Sequence, residues 1–71
     1  HASSSYAIIE TEHPELIKGI EIFDLVGNEI YKGRSEQNKT QKIYVSNQHG
    51  YYFVKVITSS HVFTKKLFIG Q

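Results

Sequence analysis

Tyr51 to Thr58, YYFVKVIT, carries apolar side chains on both of the faces that an extended chain presents. Successive side chains of a strand point to opposite sides. A strand apolar on both sides therefore belongs in the middle of a sheet. The rest of the chain supplies its neighbours as short blocks rich in β-branched and aromatic residues, separated by turn residues. The first block is Ser5 to Glu12, SYAIIETE. His13-Pro14-Glu15 closes it, because Pro14 has no N–H to give to a ladder. The second is Lys18 to Leu25, KGIEIFDL, with Ile20, Ile22 and Asp24 on one face and Glu21, Phe23 and Leu25 on the other. The third, EIYKG, begins at Glu29. Between these two lies DLVGN, in which the Asp24 side chain can accept backbone N–H groups two residues on. Gly27 takes a positive φ at no steric cost and Asn28 tolerates one, so a tight hairpin is predicted here.

Arg34 to Thr40, RSEQNKT, is polar throughout and reads as an exposed loop. Gln41 to Asn47, QKIYVSN, is the fourth block, with Ile43 and Val45 opposite Lys42, Tyr44 and Ser46. Gln48-His49-Gly50 is the turn before the central block, and Thr58-Ser59-Ser60-His61 is the connection after it. The last block is Val62 to Ile69, VFTKKLFI. Six blocks at about ten-residue spacing, without helical periodicity, predict an all-β antiparallel sandwich of six to seven strands. A short helix over Pro14 to Ile20 competes locally. Proline suits a first helical position, but Gly19 does not suit a helix interior.

The last block contains a conflict. Phe63, Leu67 and Ile69 share a face with Lys65, so strict alternation points Lys65 at the core. An unpaired buried lysine costs several kcal/mol. A β-bulge at Lys65-Lys66 would shift the register, and an edge position would let Lys65 reach water. Alternatively the face is the solvent face, which leaves Phe63 and Leu67 exposed for a partner.

Composition narrows the function. Seventy-one residues make one small domain, and the cysteine count of 0 excludes both a disulfide and a thiolate metal site. Nine aromatics, Tyr 5 and Phe 4, are the expected substitute for such staples. Net charge is +1, far from the basic excess of a nucleic-acid binder. No apolar run approaches a membrane span. The start, HASSS, does not read as a signal peptide. Residues 1–4 are expected to be a cloning scar or linker remnant, and residues 5–71 the domain itself.

No arrangement of side chains predicts catalysis. His13, His49 and His61 fall in three different turns, without the spacing of a zinc site. Glu10 and Glu12 share a face of the first block, while Glu21 and Asp24 lie in the second. Paired acids do chemistry only where a cleft joins them. No serine sits in a nucleophile elbow. Asn38-Lys39-Thr40 is a sequon that chance also produces. Tyr51 and Phe53 alternate on one face of the central block, where an exposed row could stack on sugar. Lys65-Lys66 also serves as a guard against edge-to-edge aggregation.

In order along the chain, IEIFDLVGNEIYKG, then GYYFVKV, then TKKLFI close to the terminus, resemble the C-terminal sorting domain of the type IX secretion system of Bacteroidota, in its type A form. The resemblance spans Lys18 to Ile69. Asp24 and Gly27 take its hairpin positions, Gly50 and Tyr52 its Gly-x-Tyr, and Lys65, Lys66 and Leu67 its terminal motif. The Pro-Asn-Pro segment that opens many members has no counterpart, since Ser3-Ser4-Ser5 precede Tyr6.

The resemblance implies an Ig-like β-sandwich that acts as an address, with no catalysis and no cofactor. It implies a covalently linked upstream cargo, a translocon that reads the folded domain, and a sortase-like peptidase that removes it. It also implies passage through the periplasm and outer membrane to the cell surface or medium. Lys65, Lys66 and Gly50 are then the candidate recognition residues. Gly27 and Gly50 act through backbone geometry, and Tyr52 through the core. A monomer is expected, with an edge-strand dimer as the alternative. Two other classes remain. One is an accessory module binding carbohydrate or protein through Tyr51, Phe53 and Tyr44; the other is an enzyme fragment.

Overall fold

A computed structural model describes residues 5–46 and 50–69. Residues 1–4, expected to be a scar or linker, and the predicted turn at Gln48-His49 lie outside the described residues. Six strands account for most of the rest: β1 (Ser5–Glu10), β2 (Ile17–Phe23), β3 (Glu29–Arg34), β4 (Thr40–Ser46), β5 (Gly50–Thr58) and β6 (Val62–Ile69). They form two antiparallel sheets, one of two strands in the order β1-β4 and one of four in the order β3-β2-β5-β6. The fold is the all-β sandwich that the alternation predicts, and β5 holds the inner position that its two apolar faces demand.

The core lies where alternate residues of the two sheets meet. Ala7, Ile43 and Val45 come from the small sheet. Ile17, Ile20, Ile22, Tyr52, Val54 and Ile69 come from the large one. Ile20 and Ile22 are at 0 % exposure, the deepest of the described residues. Burying each such side chain stabilises the fold by about 1.5–3 kcal/mol.

The helix that Pro14 invites stops after one turn. Pro14–Leu16 forms a 3₁₀ turn, in which the Leu16 N–H donates to the His13 carbonyl at 3.0 Å. Ile17 is already extended, because Ile17, Gly19 and Ile20 pair with Thr58, Ile57 and Val56 of β5. The ladder outcompetes a helix with a glycine in its second turn. β1 also ends earlier than its composition suggests, at Glu10, so Glu12 lies in the loop and does not share a strand face with Glu10.

Two packing features lie beyond simple alternation. Gln41 is only 3 % exposed. Its Oε1 accepts from the Ser35 hydroxyl at 3.4 Å and the Glu36 N–H at 3.3 Å, which ties down one end of the polar loop. Gln37 adopts φ 63° and donates from Nε2 to the Ile17 carbonyl at 3.3 Å. On β3, a Cβ at Gly33 would collide with the Tyr31 ring, approaching Cζ to 2.9 Å. Tyr31 therefore lies over Gly33 and packs against the core from the edge of the large sheet.

Candidate functional site

β6 is built as the second arm of a hairpin. The turn is closed by Thr58, whose N–H donates to the His61 carbonyl at 2.8 Å. Its hydroxyl oxygen accepts from the N–H groups of Ser60 at 3.3 Å and His61 at 2.9 Å. From there β6 pairs with β5 from Ile57↔Val62 to Gly50↔Ile69 with no shift in register. The conflict at Lys65 is thus resolved by position. No bulge intervenes; β6 is the outermost strand of its sheet.

Lys65 stands opposite Val54, on the inner face. It escapes burial because the inner face of β6 is covered toward Ile69 and open at Phe63 and Lys65. Phe63, on the same face, is left 57 % exposed. The gap is a groove of about 360 Å³, with Val56, Phe63, Lys65 and Leu67 on one wall and Ile8 and Glu10 on the other. Lys66 points to the outer face, with Nζ 5.1 Å above the Tyr51 ring. That ring meets Phe68 edge-on at a centroid distance of 5.2 Å. Among the described residues, no carboxylate lies within ion-pair distance of Lys65 or Lys66.

The other sequence-chosen residues are spread over the same sheet. Gly50 begins β5 opposite Ile69 with φ +154°, a conformation that side chains disfavour. Tyr52 and Leu67 face each other on the inner side, Tyr52 buried and Leu67 half-buried. The β2–β3 turn lies at the same end of the sheet as Gly50. In it, Asp24 Oδ1 accepts from the N–H groups of Val26 at 3.1 Å and Asn28 at 2.8 Å, and Oδ2 accepts from Asn28 Nδ2 at 3.1 Å. The Asn28 N–H is the largest reason that the Asp24 carboxyl is held below its ordinary range. Gly27 has φ +95°, while Asn28 does not need the positive φ it could have tolerated. The arrangement joins Lys65, Lys66, Tyr52 and Leu67 along one ladder. It leaves Gly50 several rungs from the lysines.

Val62 and Phe68, 58 % and 60 % exposed, were not singled out in the sequence. Their signal was their alternation with Lys66, which puts all three on the outer face. The aromatics of the carbohydrate reading are divided. Tyr51 and Phe53 lie on the outer face of the large sheet. Tyr44 lies on the outer face of the small one, edge-on to Tyr6 at 5.8 Å. They form no single platform. His13 contacts Glu15 at 3.3 Å and His61 sits in the β5–β6 turn, while His49 lies outside the described residues. Among the described residues, no group of three or more His, Asp or Glu side chains is placed to hold a metal.

The structure is thus a small all-β sandwich whose last described strand is an edge strand with two exposed lysines. The chain belongs to the family of secretion system C-terminal sorting domains, whose model matches residues 3–70. These are the sorting signals of the type IX secretion system, found in Bacteroidota, which direct export to the cell surface or beyond. No curated protein and no solved structure matches the chain.

Proposed function

We propose that residues 5–71 act as a folded, non-catalytic address, read by the type IX translocon at the open edge of β6, with Lys65 and Lys66 as its charged contacts. The observation that carries this reading is the pair of exposed lysines on an edge strand, without a carboxylate partner among the described residues, within a chain of the sorting-domain family. A partner that reads folded surface needs no pocket, only a rigid edge with directional hydrogen-bonding groups and a few charges. The rest of the motif supports that edge. Tyr52 and Leu67 fix the inner side of the β5–β6 ladder. Gly50 and Gly27 permit the backbone conformations at one end of the sheet.

On this reading the cargo precedes the domain and reaches the periplasm by a separate signal. The translocon carries it across the outer membrane. A sortase-like peptidase then cleaves upstream of the sandwich.

The test is export of a periplasmic reporter fused ahead of the domain, in a host with the type IX machinery. Lys65→Ala/Lys66→Ala removes two exposed side chains, and such surface changes usually move stability by within about 0.5 kcal/mol. The expected result is a folded fusion that remains in the periplasm, while the unaltered domain delivers its reporter to the surface. Equal export of both would remove the lysines from recognition. Retention of the unaltered, folded fusion would overturn the address reading itself.

A further inference from the structure

We propose that the free side of β6 accepts one extended strand bearing two adjacent carboxylates, and that Lys65 and Lys66 at the same time bar β6 from pairing with a second copy of itself. This deepens the address reading and rests on it. β6 closes one side of the four-stranded sheet, so alternate N–H and C=O groups along it have no strand neighbour among the described residues. It pairs with β5 over its 8 residues without a register shift, so the free side is a regular half-ladder. The ladder that β1 shares with β4 and the ladder of β3, the other strands at sheet edges, each contain a shift. Strand addition selects the regular edge.

The lysines decide what can add. Two copies of β6 laid antiparallel at full overlap place Val62 opposite Ile69, and both central rungs become Lys65 opposite Lys66. Sliding by one rung puts Lys65 on Lys65, or Lys66 on Lys66. Like charges directly opposite are destabilising. A slide of two escapes only by giving up 2 of the 8 rungs.

A strand with two adjacent acids sets no cation against either lysine, and Glu10, on the facing wall of the groove, is the one carboxylate among the described groove residues that opposes it. Neighbouring side chains point to opposite faces. One carboxylate therefore meets Lys65 beside the groove, and the other meets Lys66 on the outer face. Phe63 and Phe68, 57 % and 60 % exposed, flank the pair. The residues opposite them should be apolar. The complementary pattern is apolar, any, acid, acid, any, apolar.

The experiment uses the full 71-residue chain and a fluorescein-labelled eight-residue peptide with two central glutamates flanked by threonine and valine. A matched peptide carries two central lysines. Fluorescence anisotropy should show the diglutamate peptide binding at least about tenfold tighter, as charge-assisted pairing requires. Lys65→Glu/Lys66→Glu should invert the preference, a result that unfolding cannot produce. Amide hydrogen exchange should slow within Val62–Ile69 on binding. Sedimentation should show the unaltered chain as a monomer, and Lys65→Thr/Lys66→Val as a dimer at the same concentration.

Equal binding of the two peptides, no binding to a folded chain, or slowed exchange in β1, β3 or β4 instead of β6 would each overturn the proposal. So would an unaltered chain that dimerises through β6. If any of these occurs while Lys65→Ala/Lys66→Ala still blocks export, strand addition falls and the address reading stands.

Discussion

Ile22 and Phe63 are large apolar residues on the inner face of the same sheet, and the structure assigns them opposite weights. Ile22 is at 0 % exposure, covered by the small sheet. Ile22→Ala removes buried methylenes and leaves a cavity, at a cost of about 2–5 kcal/mol. A domain of this length has a total stability of roughly 4–11 kcal/mol, so the change removes a large part of it. Phe63 is 57 % exposed at the mouth of the groove. Less than half of the roughly 1.5–3 kcal/mol for burying a phenylalanine applies, and no closed cavity forms. Phe63→Ala should therefore cost about 1 kcal/mol. Urea unfolding followed by tyrosine fluorescence measures both. With a slope of about 1 kcal/mol per M for a small domain, Phe63→Ala should lower the midpoint by about 1 M. Ile22→Ala should lower it by about 2 M or more, or leave no folded baseline. Equal losses for the two variants would refute the reasoning, because they would mean that the side of the sandwich beside β6 is closed in solution.

Gly27→Ala forces a side chain to φ +95° and should cost about 1–2 kcal/mol in the same assay, although a Cβ there would touch nothing. An unchanged midpoint would show that the turn relaxes. Gly33→Ala should expel the Tyr31 ring from the edge of the core, read as a change in the Tyr31 NMR shifts, and Tyr31→Ala should abolish any further cost of Gly33→Ala. Additive losses would refute that coupling. The Asp24 carboxyl titrates below its ordinary value in the folded chain, first because of the Asn28 N–H. Its contribution is therefore present above about pH 4 and is lost as pH falls through the folded value. Asp24→Asn should be less stable than the unaltered chain near neutrality, and the difference should shrink toward pH 2. A difference independent of pH would remove the carboxylate from the turn's stability.

The strands and their inward faces were legible because alternation is a local signal. Ile20 and Ile22, Ile43 and Val45, and Tyr52 and Val54 all point where the pattern sends them. The Asp24 turn was legible for the same reason, since its hydrogen bonds join residues at most four apart. Lys65 was not, because alternation assigns a face but cannot say whether a facing sheet covers it. A partition into two and four strands is a property of pairings between residues distant in sequence. The same blindness applies to Gln41, which reads as the polar start of a strand. It shares the inner face of β4 with Ile43 and Val45, and its amide oxygen is satisfied there only because Ser35 and Glu36 fold back onto it. Of the recognition residues, the identity of Lys65 and Lys66 was visible in the sequence. Their division between two faces of an open edge required the ladder.

The order of the strands along the chain also sets a timetable. β5 and β6 are joined by a short turn, and hairpins of this kind form in roughly 1–10 μs. β1 and β4 must enclose the whole of residues 11–39 before Glu10 can meet Thr40, and closing so long a loop is slow relative to local pairing. On these grounds the small sheet should be the late event. Until it arrives, Ile20, Ile22 and Val54 have no roof, and the inner face of the large sheet is as wet beneath its centre as it is at Phe63. A nascent domain therefore presents a broad apolar floor, and a finished one presents only the strip beside β6. The amount of that floor still visible reports how far folding has gone, so a factor that holds back chains with an open floor would release only those whose small sheet has already closed over the large one.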